Sequence, residues 1–375
     1  MQDVVIAGYR RSPFTFARKG AMARVRPDDM AAAVVRALVA ESGIDPATIE
    51  DVIVGCAFPE GEQGFNVARL ISFLAGLPIA AGGVTVNRFC GSSMQSVHQA
   101  AGAIAMGAGE AFICAGIESM SRVPLGGFNP MPNPGLIEIM PDAYISMGET
   151  AENVANRYQI SRAAQEEFAT NSHRKAAAAQ AAGKFTAEIV PIGDVREDGC
   201  IRPDTSPEGL ATLKPAFRAD GSVTAGTSSP LTDGATAVLV CSGDYAKAHG
   251  LTVLAKVKSI AVCGCGPEVM GMGPVGSSQK ALARAGIKAS DLDVIEINEA
   301  FASQALASMR ELGIPEEKAN LDGGALAIGH PLGATGARII GKAASLLARE
   351  GGRYALVTQC IGGGQGIATV LERTQ

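Results

Sequence analysis

The chain has 375 residues, 47% of them hydrophobic and 18% charged, with 46 glycines and no tryptophan. That is too long for one ordinary core and too apolar for a disordered chain, so two or three packed domains are expected. A net charge of -5 supplies no general basic field, which excludes nucleic acid as an expected partner and leaves any anionic ligand to be met by local cations.

In chain order, Val4 to Ala7 give a predicted strand, and Asp28 to Ser42 a helix with Met30, Val34, Val35 and Leu38 on one side. SGIDPATIEDVIVG then turns into a second strand at Val52 to Gly55. In VTVNRFCGSSMQSVHQAAGAIAMG, a short buried strand over Val84 to Val86 breaks into Cys90 and small residues. Met94, Val97, Ala101 and Ile104 follow at helical spacing, with Gly107 as the stop. Cys90 is thus expected at the start of a helix, where unpaired N–H groups and the helix dipole favour the nucleophilic thiolate. A free cysteine is also commonly an inert core hydrophobe, so this stretch alone leaves both readings open. Ala111 to Ala115 read as another buried strand.

From Glu118 to Leu231 the texture changes. SRVPLGGFNPMPNPGLIEIMPDAY reads as loop, SMGETAENVANRY and SRAAQEEFATNSHRKAAAAQAAG as helices, and KFTAEIVPI as a strand before the irregular REDGCIRPDTSP. TAGTSSPLTDGATAVLVCS then runs from a small-residue turn into a strand that returns to the first half. The rest of the chain repeats what came before. AGIKASDLDVIEIN answers SGIDPATIEDVIVG, Ala355 to Val357 answer Ile113 to Ala115, and GHPLGATGARIIGKAASLLA answers the Cys90 helix, with His330 opposite Cys90. The three matches keep their order and nearly their spacing, which predicts two similar α/β halves. The expected domains are 1–117 completed by 232–252, an insertion at 118–231, and a second half at 253–375.

Eight cysteines lie scattered without the dense framework of a small secreted domain, which suits a reducing compartment. The C-G-C at Cys263 and Cys265 has no second ligand pair at zinc spacing, so no metal is expected. No apolar run approaches the roughly 20 residues needed to span a bilayer. MQDVVIAGYRRSPF runs directly into a strand pattern and ERTQ is no peroxisomal tripeptide, so a cytoplasmic location is expected.

Four stretches carry candidate chemistry at strand ends or helix starts, where α/β folds present functional groups. They are NRFCGSS with Cys90, EINEAFA with Asn298 and Glu299, GGALAIGHPLGATG with His330, and TQCIGGGQG with Cys360. Singly, each is also a buried thiol, a helix cap, a structural histidine or a tight turn. Jointly they offer a nucleophile, an imidazole base, a second thiol for proton transfer, and backbone N–H groups for an oxyanion.

These residues make the chain recognisable. VNRFCGSS, MG-TAENVA, LKPAF, TAGTSS-LTDGA, MGMGPV, NEAFA, GGALAIGHPLGATG and CIGGGQG occur in the family order of the thiolases, which the chain resembles over essentially its whole length. The resemblance implies a five-layered α/β/α/β/α fold of two core domains with a loop domain inserted in the first. It implies an acetyl-CoA C-acyltransferase that cleaves 3-ketoacyl-CoA with coenzyme A, a co-substrate rather than a permanently bound cofactor. Cys90 matches the acylated nucleophile, His330 the base for it and for incoming coenzyme A, and Cys360 the acid/base at the α-carbon. Asn298 matches the holder of a water that, with His330, binds the enolate oxygen. The N–H groups of Cys90 and Gly362 match a second oxyanion site. Arg202, Ser229, Met147 and Ala225 match coenzyme A contacts, and Met270, Phe217, Phe301 and Ala300 match the surroundings of the acyl group. By residue type alone, a solvated loop arginine stays open as the alternative for Arg202, and ordinary core packing for the acyl-end residues.

Two departures stand out. Ser146 occupies the place where many relatives have histidine, which puts one pantetheine or substrate contact in doubt. The stretch from Glu118 to Gly148 is shorter than in tetrameric acetoacetyl-CoA enzymes, so a homodimer is expected, with a hydratase/dehydrogenase as a further partner. The expected role is degradative, in fatty-acid breakdown. The competing readings are a biosynthetic acetoacetyl-CoA thiolase and, in another class, a ketoacyl synthase, which Cys360 argues against.

Overall fold

The structure, a computed structural model, describes residues 2–374. The first half lays down β1 (Val4–Arg11), β2 (Thr15–Phe16), α1 (Pro27–Ser42), β3 (Asp51–Cys56), α2 (Val67–Leu74), β4 (Val84–Val86), α3 (Ser92–Ala105) and β5 (Ala111–Ser119), and closes with β6 (Thr232–Ser242). Between β5 and β6 come α4 (Pro134–Ile139), α5 (Met147–Arg157), α6 (Arg162–Ala181) and α7 (Pro207–Ala211). After α8 (Gly243–Ala248) the second half supplies β7 (Ala255–Gly264), α9 (Gly273–Ala285), β8 (Val294–Ile297) and α10 (Ala302–Leu312). It ends with α11 (Ala325–Ile328), α12 (Leu332–Glu350), β9 (Tyr354–Ile361) and β10 (Gln365–Glu372).

The strands run in the order β4-β3-β5-β6-β1-β7-β10-β9-β8, with β2 beside β6. The two halves share one plan. In each, a parallel pair (β3 with β5, β8 with β9) is continued by an antiparallel return. Even the outermost pairing repeats, since Ile53 faces Val84 and its counterpart Ile295 bridges to Ala319. Among the described residues, strand pairing joins the halves only through Val5 with Lys256 and Ile6 with Ala255, at the β1/β7 seam.

Side-chain alternation along the strands divides the core into three. Val52, Val54, Ile113 and Ala115 meet α1 and α2 on one outer face, and Ile295, Leu356 and Val370 meet α9 and α10 on the other. Between the sheets, α3 and α12 lie side by side, Met94, Val97 and Ile104 of one sharing a core with Ala337, Ile340 and Ala343 of the other. This is the five-layered α/β/α/β/α arrangement.

The central layer is unusually tight because its contacts are backbone on backbone. A Cβ on Gly336 would lie 2.2 Å from the Met94 nitrogen, and one on Gly333 would lie 2.3 Å from the Ile117 oxygen and 2.8 Å from Cys56 Cα. Ser93 Oγ accepts a hydrogen bond from the Ala337 N–H at 2.8 Å, and the buried Glu118 carboxylate accepts from Gly333 N–H and Ala57 N–H. These contacts draw the start of α12 against the first half.

Three sequence expectations are corrected. The stretch SRVPLGGFNPMPNPGLIEIMPDAY is not all loop but carries the short α4, which the Asn133 side chain caps by accepting from the Gly135 and Leu136 N–H groups. KFTAEIVPI forms turns with isolated bridges at Ile189 and Ile192 rather than a strand, because residues 183–189 bond among themselves as successive turns. Val84 to Val86 is a strand but not a buried one, since β4 is a sheet edge and Val84 is 38% exposed.

Gly333→Ala should therefore lower the free energy of unfolding by about 3 kcal/mol or more, because strand backbone cannot retreat from the added methyl. Gly102→Ala, on α3 with no atom within 4 Å of the new Cβ, should raise it by roughly 0.5 kcal/mol. Urea unfolding of both variants checks this, and equal midpoints would refute the backbone-contact account.

Candidate active site

The convergence of α3 and α12 brings the candidate groups together. NRFCGSS leaves β4 through a turn whose Phe89 takes φ 42°, a strained value for a bulky residue. The turn is held from within. Phe89 N–H donates to Asn87 Oδ1 at 2.9 Å, Arg88 N–H to Ser92 Oγ at 2.9 Å, and Ser92 Oγ–H to the Phe89 carbonyl at 2.6 Å. Cys90 follows in a single 3-10 turn, Phe89–Gly91, immediately before α3, and is buried.

The second half grips this turn from the other side. Gln359 donates through Nε2 to the Cys90 carbonyl, and Arg88 donates to Gln365 Oε1 at 2.8 Å. Ile361 and Ile367 fill the space that a side chain on Gly91 would need. The Gly362 N–H favours the charged form of the Cys90 thiol.

Burial dominates the electrostatics. It pushes the Cys90 thiol up to about 11, against the backbone N–H groups of Gly362 and of Cys90 itself, which pull it down. The expectation that the helix start makes a resting thiolate is thus reversed: desolvation of the charged form outweighs the local dipoles. Cys360, fully buried near the end of β9, is held well above the ordinary thiol range by burial and then by the Cys90 and Cys265 thiols. Each thiolate raises the cost of the other, so the pair is neutral at rest.

His330 sits between the short α11 and α12, its ring buried. Nδ1 lies 2.6 Å from Thr335 Oγ1, Nε2 lies 3.3 Å from Asn298 Nδ2, and the His330 N–H donates to Thr232 Oγ1 at 3.1 Å. Burial, and secondarily Arg338, lowers its pKa to about 3, so the ring is neutral at rest. Asn298 follows β8 and donates its backbone N–H to the Thr358 carbonyl at 3.0 Å. Its buried Oδ1 has no partner within the protein, which leaves an acceptor ready for a water. The adjacent Glu299 has a structural place. Its carboxylate accepts from Ser172 Oγ–H, Asn320 Nδ2 and Leu326 N–H, tying the insertion to the second half.

The expected acyl surroundings also assemble. Met270, Ala300, Phe301 and Cys360 share one cluster with Ala151 and Val223, and Met147 packs against it. A Cβ on Gly362 would stand 3.5 Å from Met147 Sδ, which sets Met147 beside the Cys90 turn. Phe217 meets Phe301 edge to face at 6.0 Å and remains 41% exposed. Ser229 N–H donates to the Ala300 carbonyl at 3.0 Å, while Ala225 is exposed in the preceding turn. Arg202 is exposed and lies over the Phe16 ring at 5.1 Å, its N–H donating to His173 Nδ1 at 3.1 Å. Ser146, where relatives have histidine, caps α5 by accepting from Glu149 N–H at 3.3 Å. Thr335, Gln359 and Glu118 escape the sequence reading. A hydroxyl one turn into the helix after His330, and polar side chains in buried strands, were the available signals.

Family comparison agrees with this fold. The thiolase N-terminal domain model matches residues 4–244 and the thiolase C-terminal domain model residues 251–373. A 3-ketoacyl-CoA thiolase of Bacillus subtilis (strain 168) is 46% identical, covering 99% of this chain and 100% of its own length. One of Pseudoalteromonas translucida (strain TAC 125) is 47% identical over 100% of both chains. The crystal structure of human mitochondrial 3-ketoacyl-CoA thiolase in complex with CoA superposes with a TM-score of 0.92 at 35% identity, covering 100% of this chain and 98% of that one.

The neutral His330 has a measurable signature. Its folded pKa of about 3 lies below the unfolded value near 6.5. Its contribution to stability is therefore full above about pH 6.5 and lost as pH falls toward 3, by about 1.4 kcal/mol per pH unit. Urea unfolding of wild type and His330→Asn at several pH values should show a shallower acid limb for the variant by that amount. Parallel limbs would mean the ring is not held neutral.

Proposed function

This chain belongs to the thiolase family, and we propose that Cys90, His330, Cys360, Asn298 and the Gly362 N–H carry its reaction in the roles set out below. The activity is that of an acetyl-CoA C-acyltransferase: 3-ketoacyl-CoA and coenzyme A give acyl-CoA and acetyl-CoA, in the degradative sense, with coenzyme A as co-substrate. The observation that supports the reading is a pair of buried thiols, one on each half and near enough for Cys90 to raise the Cys360 pKa, with a buried, neutral imidazole bonded to Asn298 just before the helix that packs on the Cys90 turn.

Cys90 attacks the keto carbon of the substrate as its proton passes to His330 Nε2. The thiolate and imidazolium arise together, so neither stands as an uncompensated buried charge. The developing oxyanion takes the N–H groups of Cys90 and Gly362. When the bond between the keto carbon and the α-carbon breaks, the acyl group stays on Cys90 and the electron pair leaves as the acetyl-CoA enolate. Asn298, through a water, and the His330 ring stabilise the enolate oxygen, while Cys360 gives its proton to the α-carbon. The Cys360 thiolate recovers a proton from the imidazolium. Coenzyme A then loses its thiol proton to His330 and attacks the acyl-Cys90 carbonyl, and Cys90 leaves and is reprotonated. Run backwards, the same steps form the carbon–carbon bond.

Met147, Ser229, Ala225 and Arg202 line the approach of coenzyme A in this reading, with Arg202 the cation for a phosphate. Met270, Ala300, Phe301 and Phe217 surround the acyl end, which their shared cluster supports. The domain division 1–117 with 232–252, 118–231 and 253–375 is retained, supported by the narrow β1/β7 seam. The protein acts as a homodimer. The exposed apolar residues Phe65, Phe73, Ile79 and Val84 around the open edge at β4 support self-association. A hydratase/dehydrogenase partner would deliver 3-ketoacyl substrates. Among the described residues no helix is long and apolar enough to cross a membrane, and every cysteine is free, which supports a reducing, cytoplasmic setting.

A thiolysis assay over short, medium and long 3-ketoacyl-CoA substrates should give turnover across the series, and Cys90→Ala should lose about a thousandfold or more. Activity confined to the four-carbon substrate would favour the biosynthetic reading, and undiminished turnover in Cys90→Ala would sink the mechanism.

A further inference from the structure

We propose that Thr335 is a positioning residue that fixes which nitrogen of His330 carries the proton. The inference deepens the assignment of His330 as base and rests on it. An imidazole can take a proton from a thiol only through a nitrogen bearing a lone pair, and a neutral ring has one such nitrogen. Because the His330 ring is buried, its hydrogen-bond partners rather than solvent decide which one.

The partners are few. Thr335 Oγ1 lies 2.9 Å from the Pro331 carbonyl, four residues back in the first turn of α12, and 2.6 Å from His330 Nδ1. A carbonyl only accepts, so this back-bond, a habitual one for helical threonine, occupies the hydroxyl hydrogen. Toward His330 the hydroxyl oxygen can then only accept, and Nδ1 must carry the ring proton. Nε2 is left with its lone pair, facing Asn298 Nδ2 at 3.3 Å. Asn298 donates there and turns its unpartnered Oδ1 elsewhere in the buried site, so one set of donor and acceptor roles runs without conflict through Thr335, His330 and Asn298. Rotating the hydroxyl onto Nδ1 would reverse the set: the proton would move to Nε2, Asn298 would have to flip, and Nε2 could no longer act as base.

The place of Thr335 explains why the arrangement is rigid. Its side chain is fully buried, and the neighbouring Gly333 and Gly336 hold this turn against β3, β5 and α3 through backbone contacts. The His330 ring is thus oriented by the same helix start whose close packing joins the halves.

The test reads the tautomer directly. In protein labelled with 15N-histidine, the His330 signals, assigned by their loss in His330→Asn, should show a protonated Nδ1 and a bare Nε2 in wild type at neutral pH. Thr335→Val should move the proton to Nε2 or mix the two forms, and should slow iodoacetamide modification of Cys90 at pH 7 by about tenfold, the scale of one lost hydrogen bond. Thr335→Ser should restore both readouts. A bare Nδ1 in wild type overturns the proposal without any variant, as does a wild-type tautomer and Cys90 reactivity in folded Thr335→Val. Full thiolysis by His330→Asn would instead remove the base assignment and leave the tautomer result standing, so the two failures are distinguishable.

Discussion

The structure depends on one close approach. The first turns of α3 and α12 meet in backbone contact, because Gly336 presses on the Met94 backbone and Gly333 on β3 and β5. A layer of two helices between two sheets is easily built from leucine and valine at a separation of 8–10 Å. Here the helix starts touch backbone to backbone, and the apolar packing runs on from Met94 and Ala337 to Val97, Ile104, Ile340 and Ala343. The glycines therefore trade side-chain burial at one end of the layer for the meeting of two loops, one carrying Cys90 and the other His330.

That trade explains the electrostatic character of the site. Two thiols, an imidazole and an amide lie where solvent is excluded, and burial drives each ionisable group to its neutral form. A resting thiolate would be more nucleophilic but would stand as a lone charge beside a second buried thiol. In the proposed mechanism, keeping every group neutral until substrate arrives lets charge appear only as matched pairs: thiolate with imidazolium, then oxyanion with backbone N–H. The second half enforces this by gripping the Cys90 turn through Gln359 and Gln365.

Much of this was legible from residues alone. The period-2 and period-3.6 patterns locate the principal strands and helices, and the repeat places Cys90 and His330 at equivalent helix starts. What sequence could not weigh was depth. The helix-start argument for a Cys90 thiolate is correct in sign and too small, because the extent of desolvation follows from packing of the second half over the turn. Likewise KFTAEIVPI has strand composition, but its backbone groups find partners in successive turns. Thr335 and Gln359 were unreadable for a related reason: their meaning lies in the one atom each touches.

In the proposed mechanism Cys90 and Cys360, one from each half, do different and non-interchangeable work. Acetyl-CoA incubated with the enzyme in D2O tests it most directly, with the Cys90 peptide followed by mass spectrometry and deuterium followed in the acetyl methyl group. Wild type should show both acyl-Cys90 and deuterium uptake, whereas Cys360→Ala should still acylate Cys90 and take up none. Deuterium exchange at the wild-type rate in Cys360→Ala, or an acetyl group found on Cys360 rather than Cys90, would contradict the account.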